Sequence, residues 1–171
     1  MKSPLITKEH SGESGVTYIL EYFECDSFDH LPQDEITQCY AVAFHGDKIV
    51  IVHNGKKDTW GLVGGSVEKG ETLEQTLFRE IKEESNMKVI SYKPIGYQKV
   101  TDKVNPQKPF YQLRYFAKVE PYGAFESDPA QSVDRILEIN PADYKKYFDW
   151  FEIGDVIMNR ALDLNSLKIM I

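Results

Sequence analysis

A glycine-rich segment that runs straight into an amphipathic helix is the feature that most constrains this fold. Four residues between positions 61 and 70 are glycines, and Thr72 and Gln75 form a capping-box pair just after them. This pair predicts a helix that begins at Leu73, and Asn86 predicts its end in a left-handed cap. The apolar residues of the helix recur every four positions: Leu73, Leu77 and Ile81. The sequence therefore predicts a glycine-rich loop joined directly to a short helix with one buried face.

Three glutamates share one side of this predicted helix. At about 100° per residue, Glu80, Glu83 and Glu84 fall within an arc of roughly 100° that borders the apolar stripe. Crowded like charges destabilise a helix, and a divalent cation such as Mg²⁺, which prefers oxygen ligands, would remove that repulsion. A solvated acidic face would explain the same pattern. The glutamates alone therefore leave a metal site and a plain acidic surface both open.

The spacing around these glutamates resembles the Nudix box, the loop–helix–loop signature of the Nudix hydrolases. From Gly65 the chain runs through five residues to Glu71 and through seven more to the run Arg79-Glu80-Ile81-Lys82-Glu83-Glu84. Two positions depart from the family pattern: Asn86 replaces a glycine, and Val63 stands where many relatives have proline. Because asparagine tolerates positive φ better than other non-glycine residues, we expect the turn after the helix to survive.

The resemblance implies an α/β fold, an α/β/α sandwich in which a mixed β-sheet lies between helices. It also implies hydrolysis of a nucleoside diphosphate linked to another moiety, with Mg²⁺ or, as a substitute, Mn²⁺. Our first expectation for the substrate is a (d)NTP or an oxidised NTP, followed by ADP-ribose or a nucleotide sugar. Two alternatives stay open: a catalytically silent nucleotide-binding sensor or scaffold, and a structural protein with an acidic helix.

The resemblance further implies roles for single residues. The implied metal ligands are Glu80, Glu83, Glu84 and the carbonyl of Gly65. Arg79 would orient the glutamates, and Glu71 would assist through a water or a hydrogen bond. Gly64 and Gly65 would let the backbone approach the phosphates. The structural alternatives are a surface ion pair for Arg79, a helix-start acid for Glu71 and a plain turn for the glycines.

A general base outside the box is expected on a late loop of the chain. Glu126 is our leading candidate, with Asp128 and Asp134 as alternatives, although the box glutamates could activate the water themselves. The catalytic candidates are therefore Glu80, Glu83, Arg79 and Glu126. Proton transfer depends on geometry, so the sequence cannot choose among them.

Substrate contacts are expected from aromatic and basic residues near the glycines. We assign substrate binding to Trp60, Gly64, Gly65 and Lys103. Other aromatic residues that could stack a base or a sugar are Tyr97, Phe110 and Tyr111, and other lysines around the loop 101–109 are Lys99 and Lys108. Burial in the core is the alternative for the aromatic residues, and solvation is the alternative for the lysines.

The rest of the chain predicts one domain, because its 171 residues are close to the usual domain size of about 150. Residues 1–15 predict a mobile arm and residues 16–171 a single domain with its core at about 36–171. Runs of β-branched and aromatic residues predict strands at 16–23, 36–44, 48–53, 88–99, 110–119 and 135–139. A short helix is expected to open at Asn140-Pro141, and a last amphipathic helix to span about 154–164.

Composition limits the partners and the compartment. A net charge of −7 and a pI of about 5.1 argue against binding to long nucleic acids. No apolar stretch approaches the roughly 20 residues of a membrane span, and the N-terminus lacks a secretory h-region. Only Cys25 and Cys39 are present, so we expect free thiols in a reducing cytoplasm. The segment 16–35 could give an edge strand or a swapped arm to a second copy, which would make a homodimer.

Overall fold

An eight-stranded mixed β-sheet forms the centre of the computed structural model, which describes residues 2–12, 14–126 and 128–167. Its order is β1-β2-β6-β7-β3-β5-β4-β8, and neighbours run antiparallel except β3 and β7, which are parallel. The strands are β1 (Ile6–Ser11), β2 (Thr17–Glu24), β3 (Ile36–His45), β4 (Lys48–Asn54), β5 (Thr59–Ser66), β6 (Met87–Asp102), β7 (Phe110–Pro121) and β8 (Val133–Ile139). The six strands predicted from the sequence are confirmed, with small shifts at their ends.

Two α-helices cover the two faces of the sheet. Helix α1 (Leu73–Ser85) packs on one apolar core and helix α2 (Phe151–Ser166) on another. Alternate residues of β3 enter the two cores, Ala41 the first and Val42 the second, as the pleat requires. The predicted α/β/α sandwich is confirmed. Among the described residues, no helix is long and apolar enough to span a bilayer.

The ends of α1 follow the predicted capping chemistry. The Thr72 hydroxyl accepts from the Gln75 N–H at 3.1 Å, and the Gln75 side chain accepts from the Thr72 N–H at 2.8 Å. Asn86 adopts the left-handed conformation at φ 53°, and its side chain donates to the Ala124 carbonyl at 2.9 Å. This asparagine therefore preserves the turn that the family pattern assigns to glycine, and it ties the helix end to a late loop.

The N-terminal segment differs from the mobile arm expected over residues 1–15. Strand β1 (Ile6–Ser11) pairs with β2 in antiparallel register, and Ile6 packs against the core under α2. β2 therefore lies inside the sheet, between β1 and β6, instead of forming the edge that residues 16–35 were expected to offer. The backbone partners of β1 belong to β2, the next strand along the chain, and residues 1–15 alone do not contain them.

Four further elements differ from what the sequence predicts. β5 continues through the glycines to Ser66, so the expected loop begins later. The segment after Asn140 forms a 3₁₀-helix, Pro141–Lys146, and another short 3₁₀-helix spans Gln33–Glu35. α2 begins at Phe151, before the glycine at which we expected it.

We expect Asn86→Ala to lower the free energy of unfolding by about 1–2 kcal/mol more than Asn86→Gly, because an alanine side chain is strained in the left-handed region. Both variants lose the amide bond to Ala124, so their difference isolates the backbone conformation. Urea denaturation of the two variants measures it. Equal stability of the two variants would contradict this account of the helix end.

Candidate active site

Gly64 brings the β5 backbone against the end of α1. Its φ is +145°, and a Cβ at this position would collide with the Cys39 carbonyl and with Tyr40 of the neighbouring strand β3. The Gly64 N–H points out of this contact and donates to Glu84 Oε2 at 2.8 Å. A glycine is therefore required here, and it links the strand to one of the three helix glutamates.

Gly65 leaves room for the carboxylate of Glu80. A Cβ on Gly65 would lie 2.6 Å from Glu80 Oε1, so any larger residue would push the carboxylate away. Glu80 is only 9% exposed. Gly64 and Gly65 thus form a cradle in which the side chains of Glu84 and Glu80 lie directly against the β5 backbone.

Arg79 connects the glutamates to one another. Its Nε donates to Glu71 Oε1 at 2.6 Å and its Nη2 to Glu71 Oε2 at 3.0 Å, a two-pronged contact. Nη1 donates to Glu80 at 2.8 Å and to Glu83 at 3.3 Å. Nη2 also donates to the Ser66 carbonyl at 2.9 Å. One guanidinium therefore orients three carboxylates and the end of β5.

The Glu71–Arg79 pair is a fixed ion pair. The hydrogen bonds from Arg79 lower the pKa of Glu71 to about 2, with help from the Thr76 hydroxyl and the Glu68 N–H. The same contact raises the pKa of Arg79 above its usual range. Both groups stay charged across the pH range in which proteins function, so Arg79 is held in place by Glu71.

Glu84 and Glu80 carry the opposite perturbation. Burial raises the pKa of Glu84 to about 8, although the Gly64 N–H opposes the rise. Burial also raises the pKa of Glu80 above its usual value, and Arg79 offsets only part of that effect. Four carboxyl groups of the cluster, Glu71, Glu80, Glu83 and Glu84, share the single guanidinium of Arg79 or have no cationic partner, and a nearby cation would favour the charged form of the two buried ones.

The donor set suits a divalent cation by its chemistry, although its geometry is not yet assembled. Within residues 2–12, 14–126 and 128–167, no three His, Cys, Asp or Glu side chains stand close enough together to hold an ion. Glu80 and Glu83 face Arg79, and Glu84 faces the Gly64 N–H. All the candidate ligands are oxygen atoms beside a glycine cradle. A hard dication fits these residues once the carboxylates turn away from their present partners.

Two clefts adjoin the cluster. A cleft of about 860 Å³ is lined by Arg79, Glu83 and Glu126, so the structure places the leading base candidate beside the box. A second cleft, of about 850 Å³, is lined by Gly64, Glu84 and Trp60, together with other residues of β3, β4, β5 and the segment before α2. Hence Trp60 lines the same cleft as Gly64 and Glu84, and Gly65 lies against Glu80.

Three other candidates are engaged elsewhere. Lys103 is bonded to the Glu9 carboxylate at 2.8 and 3.0 Å and is not among the residues found to line either cleft. Asp128 is buried and accepts hydrogen bonds from its own loop, including the Ser132 N–H and hydroxyl. Asp134 is bonded to His53 at 2.6 Å. The local sequence could not reveal the partners of Lys103 and Asp134, because Glu9 and His53 come from strands that are distant in sequence.

Several residues that line the second cleft are not predicted from the sequence. Tyr40, Lys57 and Trp150 line it beside Gly64. Of the other aromatic candidates, Tyr97 stacks on Phe23 in the core, at 4.9 Å between ring centroids. An arginine inside the apolar strand β7, at position 114, is a local irregularity of the sequence, but it is not among the residues found to line this cleft.

We expect the metal-free protein to lose stability as the pH rises from about 4.5 to 8, through the contribution of Glu84. The folded carboxyl has a pKa of about 8 and the unfolded one about 4.5, so the folded state binds the extra proton in this window. The slope is at most about 1.4 kcal/mol per pH unit. Glu84→Gln keeps an acceptor for Gly64 but removes this dependence. Urea denaturation in EDTA at a series of pH values measures it.

Glu120→Gln, on the exposed end of β7, is the matched control for a change in net charge. It should leave the pH dependence of the wild type intact. The explanation fails if Glu84→Gln follows the wild-type pH dependence, because the buried carboxyl would then not be the group that titrates.

Comparisons with known proteins agree with this arrangement. The family model of the NUDIX domain matches residues 22–169. None of the curated proteins compared with this chain matches it significantly. Among solved structures, a mutant of the pyrophosphohydrolase BsRppH from Bacillus subtilis has a TM-score of 0.64 at 20% identity, covering 96% of this chain and 99% of its own.

Two further structures show the same fold. The MutT NUDIX hydrolase from Burkholderia pseudomallei has a TM-score of 0.53 at 14% identity, with 73% of this chain and 97% of that chain covered. An ADP-ribose pyrophosphatase from Streptococcus suis has a TM-score of 0.50 at 17% identity, with 75% and 90% covered. At these identities the solved structures show only that the fold is shared. The family model matches residues 22–169, which is most of the sequence, and therefore shows the family. This chain belongs to the Nudix hydrolase family.

Proposed function

We propose that this protein is a metal-dependent hydrolase that cleaves a phosphoric anhydride in a nucleoside diphosphate linked to another moiety. The observation that carries the proposal is the glutamate cluster that Arg79 holds between the glycine cradle and two clefts. A carboxyl group whose pKa is raised by burial and that lines a cleft, as Glu84 does, is typical of functional sites. A purely structural acidic helix would leave its glutamates solvated.

Mg²⁺, with Mn²⁺ as a substitute, is the proposed cofactor. Its proposed ligands are Glu80, Glu83, Glu84 and the carbonyl of Gly65. When bound, such an ion neutralises pyrophosphate oxygens and lowers the pKa of a water molecule. Arg79 acts as a positioning residue: it orients two of the glutamates and is itself anchored by its charged partner at the start of the helix.

Glu126 is the proposed base that takes the proton of the attacking water. It lines the same cleft as Arg79 and Glu83. Asp128 and Asp134 are less suited, because hydrogen bonds already occupy the first in its loop and hold the second against a histidine. Glu83 remains the alternative base within the box. In either case the carboxylate accepts the proton while water oxygen bonds to phosphorus and the bridging oxygen leaves.

The proposed substrate is a (d)NTP or an oxidised NTP, with ADP-ribose or a nucleotide sugar as the next candidates. The named structural relatives include a MutT hydrolase, a pyrophosphohydrolase and an ADP-ribose pyrophosphatase, which span these possibilities. Trp60 and Lys57 line the cleft beside Gly64, where they could contact a sugar or a phosphate. A silent nucleotide sensor is disfavoured, because the chain keeps the complete set of box acids together with Arg79.

Two further expectations concern the surroundings of the protein. We infer a reducing compartment such as the cytoplasm, because Cys25 and Cys39 are free thiols and burial raises the pKa of both. A homodimer is the proposed assembly, in which a second copy would pair with the exposed edge of β1.

We expect Mg²⁺-dependent phosphate or pyrophosphate release from at least one member of a panel of dNTPs, oxidised dNTPs, ADP-ribose, nucleotide sugars and diadenosine polyphosphates. Glu83→Gln should lower kcat by about a hundredfold or more on that substrate, because it removes a proposed metal ligand or base. The rate of product formation at saturating Mg²⁺ measures this effect.

Glu74→Gln is the matched control, since it removes a charge from an exposed position in the first turn of the same helix and should leave the rate unchanged. Glu126→Gln separates the two candidate bases, because it should lower kcat only if the late-loop acid accepts the proton. Equal inactivity of the wild type and Glu83→Gln on every substrate would refute hydrolysis and favour a binding module.

We expect Mn²⁺ to bind the protein without nucleotide, because the cluster holds more negative charge than Arg79 balances. Glu84→Gln should weaken this binding by about tenfold or more, and Arg79→Lys by about 10–100-fold, since lysine cannot hold several carboxylates in one plane. Titration calorimetry measures both. Absence of any binding heat in the wild type would leave only the acidic-helix interpretation.

A further inference from the structure

His53 is a buried titratable side chain that the proposed reaction does not use. It lies on β4, opposite Trp60 of β5 and Arg135 of β8 in the sheet register, and it is 3% exposed. The centroids of the His53 and Trp60 rings are 5.0 Å apart. Trp60 lines the cleft that also contains Gly64 and Glu84, whereas His53 is not among the residues found to line it. His53 therefore supports one wall of this cleft from inside the sheet.

Each ring nitrogen of His53 faces a carboxylate. Nδ1 lies 2.6 Å from Asp134 Oδ1 on β8, and Nε2 lies 3.1 Å from Asp58 Oδ1 in the turn between β4 and β5. A third charged group, Arg135, places Nη2 at 2.9 Å from Nδ1 and 3.1 Å from Nε2. Because these two distances are nearly equal, Nη2 lies over the ring and not along either N–H direction. The imidazole is thus placed between two anions, with one cation on its face.

Both carboxylates are satisfied only when the imidazole carries two protons. A charged carboxylate can only accept hydrogen bonds, and a neutral imidazole has a single N–H. The protonated ring donates from both nitrogens and gives Asp134 and Asp58 one charge-assisted bond each. The bond with His53 lowers the pKa of Asp134, so this acid stays charged. Arg135 opposes the protonated ring by its charge, while the two acids favour it. His53 therefore joins β8 to the turn in its protonated form and holds only one of them in its neutral form.

Asp58 is the partner that a neutral ring would release. Its contact with His53 is the longer one, 3.1 Å against 2.6 Å for Asp134. Its side chain is 93% exposed, against 53% for Asp134, so water can replace the lost bond more readily. Asp58 also has a left-handed backbone at φ 52°, which is less favourable for aspartate than for glycine. The bond to His53 thus helps to hold Asp58 in this conformation.

The turn that contains Asp58 also forms part of the cleft wall. Lys57 and Asp58 both line the cleft. At the start of the turn, Asn54 Oδ1 accepts hydrogen bonds from the N–H groups of Lys56 and Lys57 at 3.1 and 3.0 Å. These bonds come from an amide and do not depend on pH. The bond from His53 to Asp58 is the contact of this turn that depends on protonation.

We propose that His53 is a positioning residue of the cleft and acts as a proton-dependent latch: the protonated imidazole holds Asp58 and Lys57 in the cleft wall, and the neutral imidazole releases them. Since the imidazole of histidine changes charge between about pH 5 and 8, the latch operates near neutral pH. Its effect on catalysis rests on the proposed function. Substrate affinity falls as the pH rises, because a released Lys57 must be ordered again when phosphate binds. The chemical step is not affected, since neither His53 nor Asp58 is a proposed metal ligand or base.

NMR of the metal-free protein between pH 5 and 8.5 tests the latch without any hydrolysis. In the wild type, the amide signals of Lys57 and Asp58 should shift together with the ring signals of His53, and the heteronuclear NOE of Lys57 should be lower at pH 8 than at pH 6. Asp58→Gly removes the carboxylate and still allows the left-handed backbone, so its Lys57 signal should lose most of its pH dependence while His53 still titrates. This variant changes an exposed side chain, so it does not disturb the core.

His45→Gln is the matched control for the loss of an imidazole. His45 also pairs with a carboxylate, that of Glu138 at 3.0 Å, but it is not among the residues found to line the cleft. Its replacement should leave the titration of the turn unchanged. Three results would overturn the latch: Lys57 and Asp58 signals that stay in place while His53 titrates, the same shifts in Asp58→Gly, or a His53 ring that keeps one charge state from pH 5 to 8.5.

Steady-state kinetics on a substrate that the wild type hydrolyses test the effect on affinity. At pH 6 the KM of the wild type should be about three- to tenfold lower than that of Asp58→Gly, because the bond lost joins charged groups at an exposed site. At pH 8 the two KM values should be equal, and kcat should follow the same pH profile in both proteins. Equal KM values at pH 6, or a kcat profile that changes in Asp58→Gly, would refute the positioning role. If no substrate is hydrolysed, the proposed function fails, and the NMR titration still decides whether the latch exists.

Discussion

The contact between Arg79 and Glu71 is the interaction on which the rest of the site depends. Glu71 precedes the cap of α1 and Arg79 lies in its middle, so the pair fixes the approach of the glycine segment to the helix. The same guanidinium reaches Glu80, Glu83 and the last residue of β5. Without it, the glutamates would be free to turn into solvent, and Gly64–Glu84 would be the one hydrogen bond left of those found between β5 and α1.

This arrangement concentrates negative charge at a place where the fold cannot neutralise it. Arg79 forms its two-pronged ion pair with Glu71, and the one hydrogen bond found for the buried carboxyl of Glu84 comes from the Gly64 N–H. Burial raises the pKa of Glu84, and the neighbouring carboxylates of Glu80, Asp128 and Glu83 add to the rise. A cation would favour the charged form of this carboxyl, so the metal binding proposed above and the pH dependence of the stability have the same electrostatic origin. The two glycines are also required for steric reasons. A side chain at Gly64 would collide with β3, and a side chain at Gly65 would collide with the Glu80 carboxylate.

The features that the sequence could predict are those with local causes. The cap residues, the apolar spacing and the left-handed Asn86 lie within one helix, and their structural meaning does not depend on the rest of the chain. Strand β1 was missed because it is stabilised by pairing with β2 rather than by its own residues. The sequence predicts a substrate contact for Lys103 and not its bond to Glu9, because Glu9 is distant in sequence. Contacts of this kind require the tertiary fold before they can be seen.

Half-buried Arg79 and buried Arg114 show two ways in which this fold accommodates a positive charge. Arg79 on α1 is surrounded by carboxylates and keeps them in place, so its charge is used within the protein. Arg114 on β7 is surrounded by aromatic rings and backbone. No carboxylate is found among the titratable groups that influence it in the described part of the chain. One site thus has an excess of carboxyl groups, and the other has a guanidinium whose Nε has no hydrogen-bond partner among the described residues. A cation would offset the first excess, whereas the Tyr40 and Trp150 rings, 5.1 and 5.3 Å from the guanidinium, are the aromatic contacts that compensate the second.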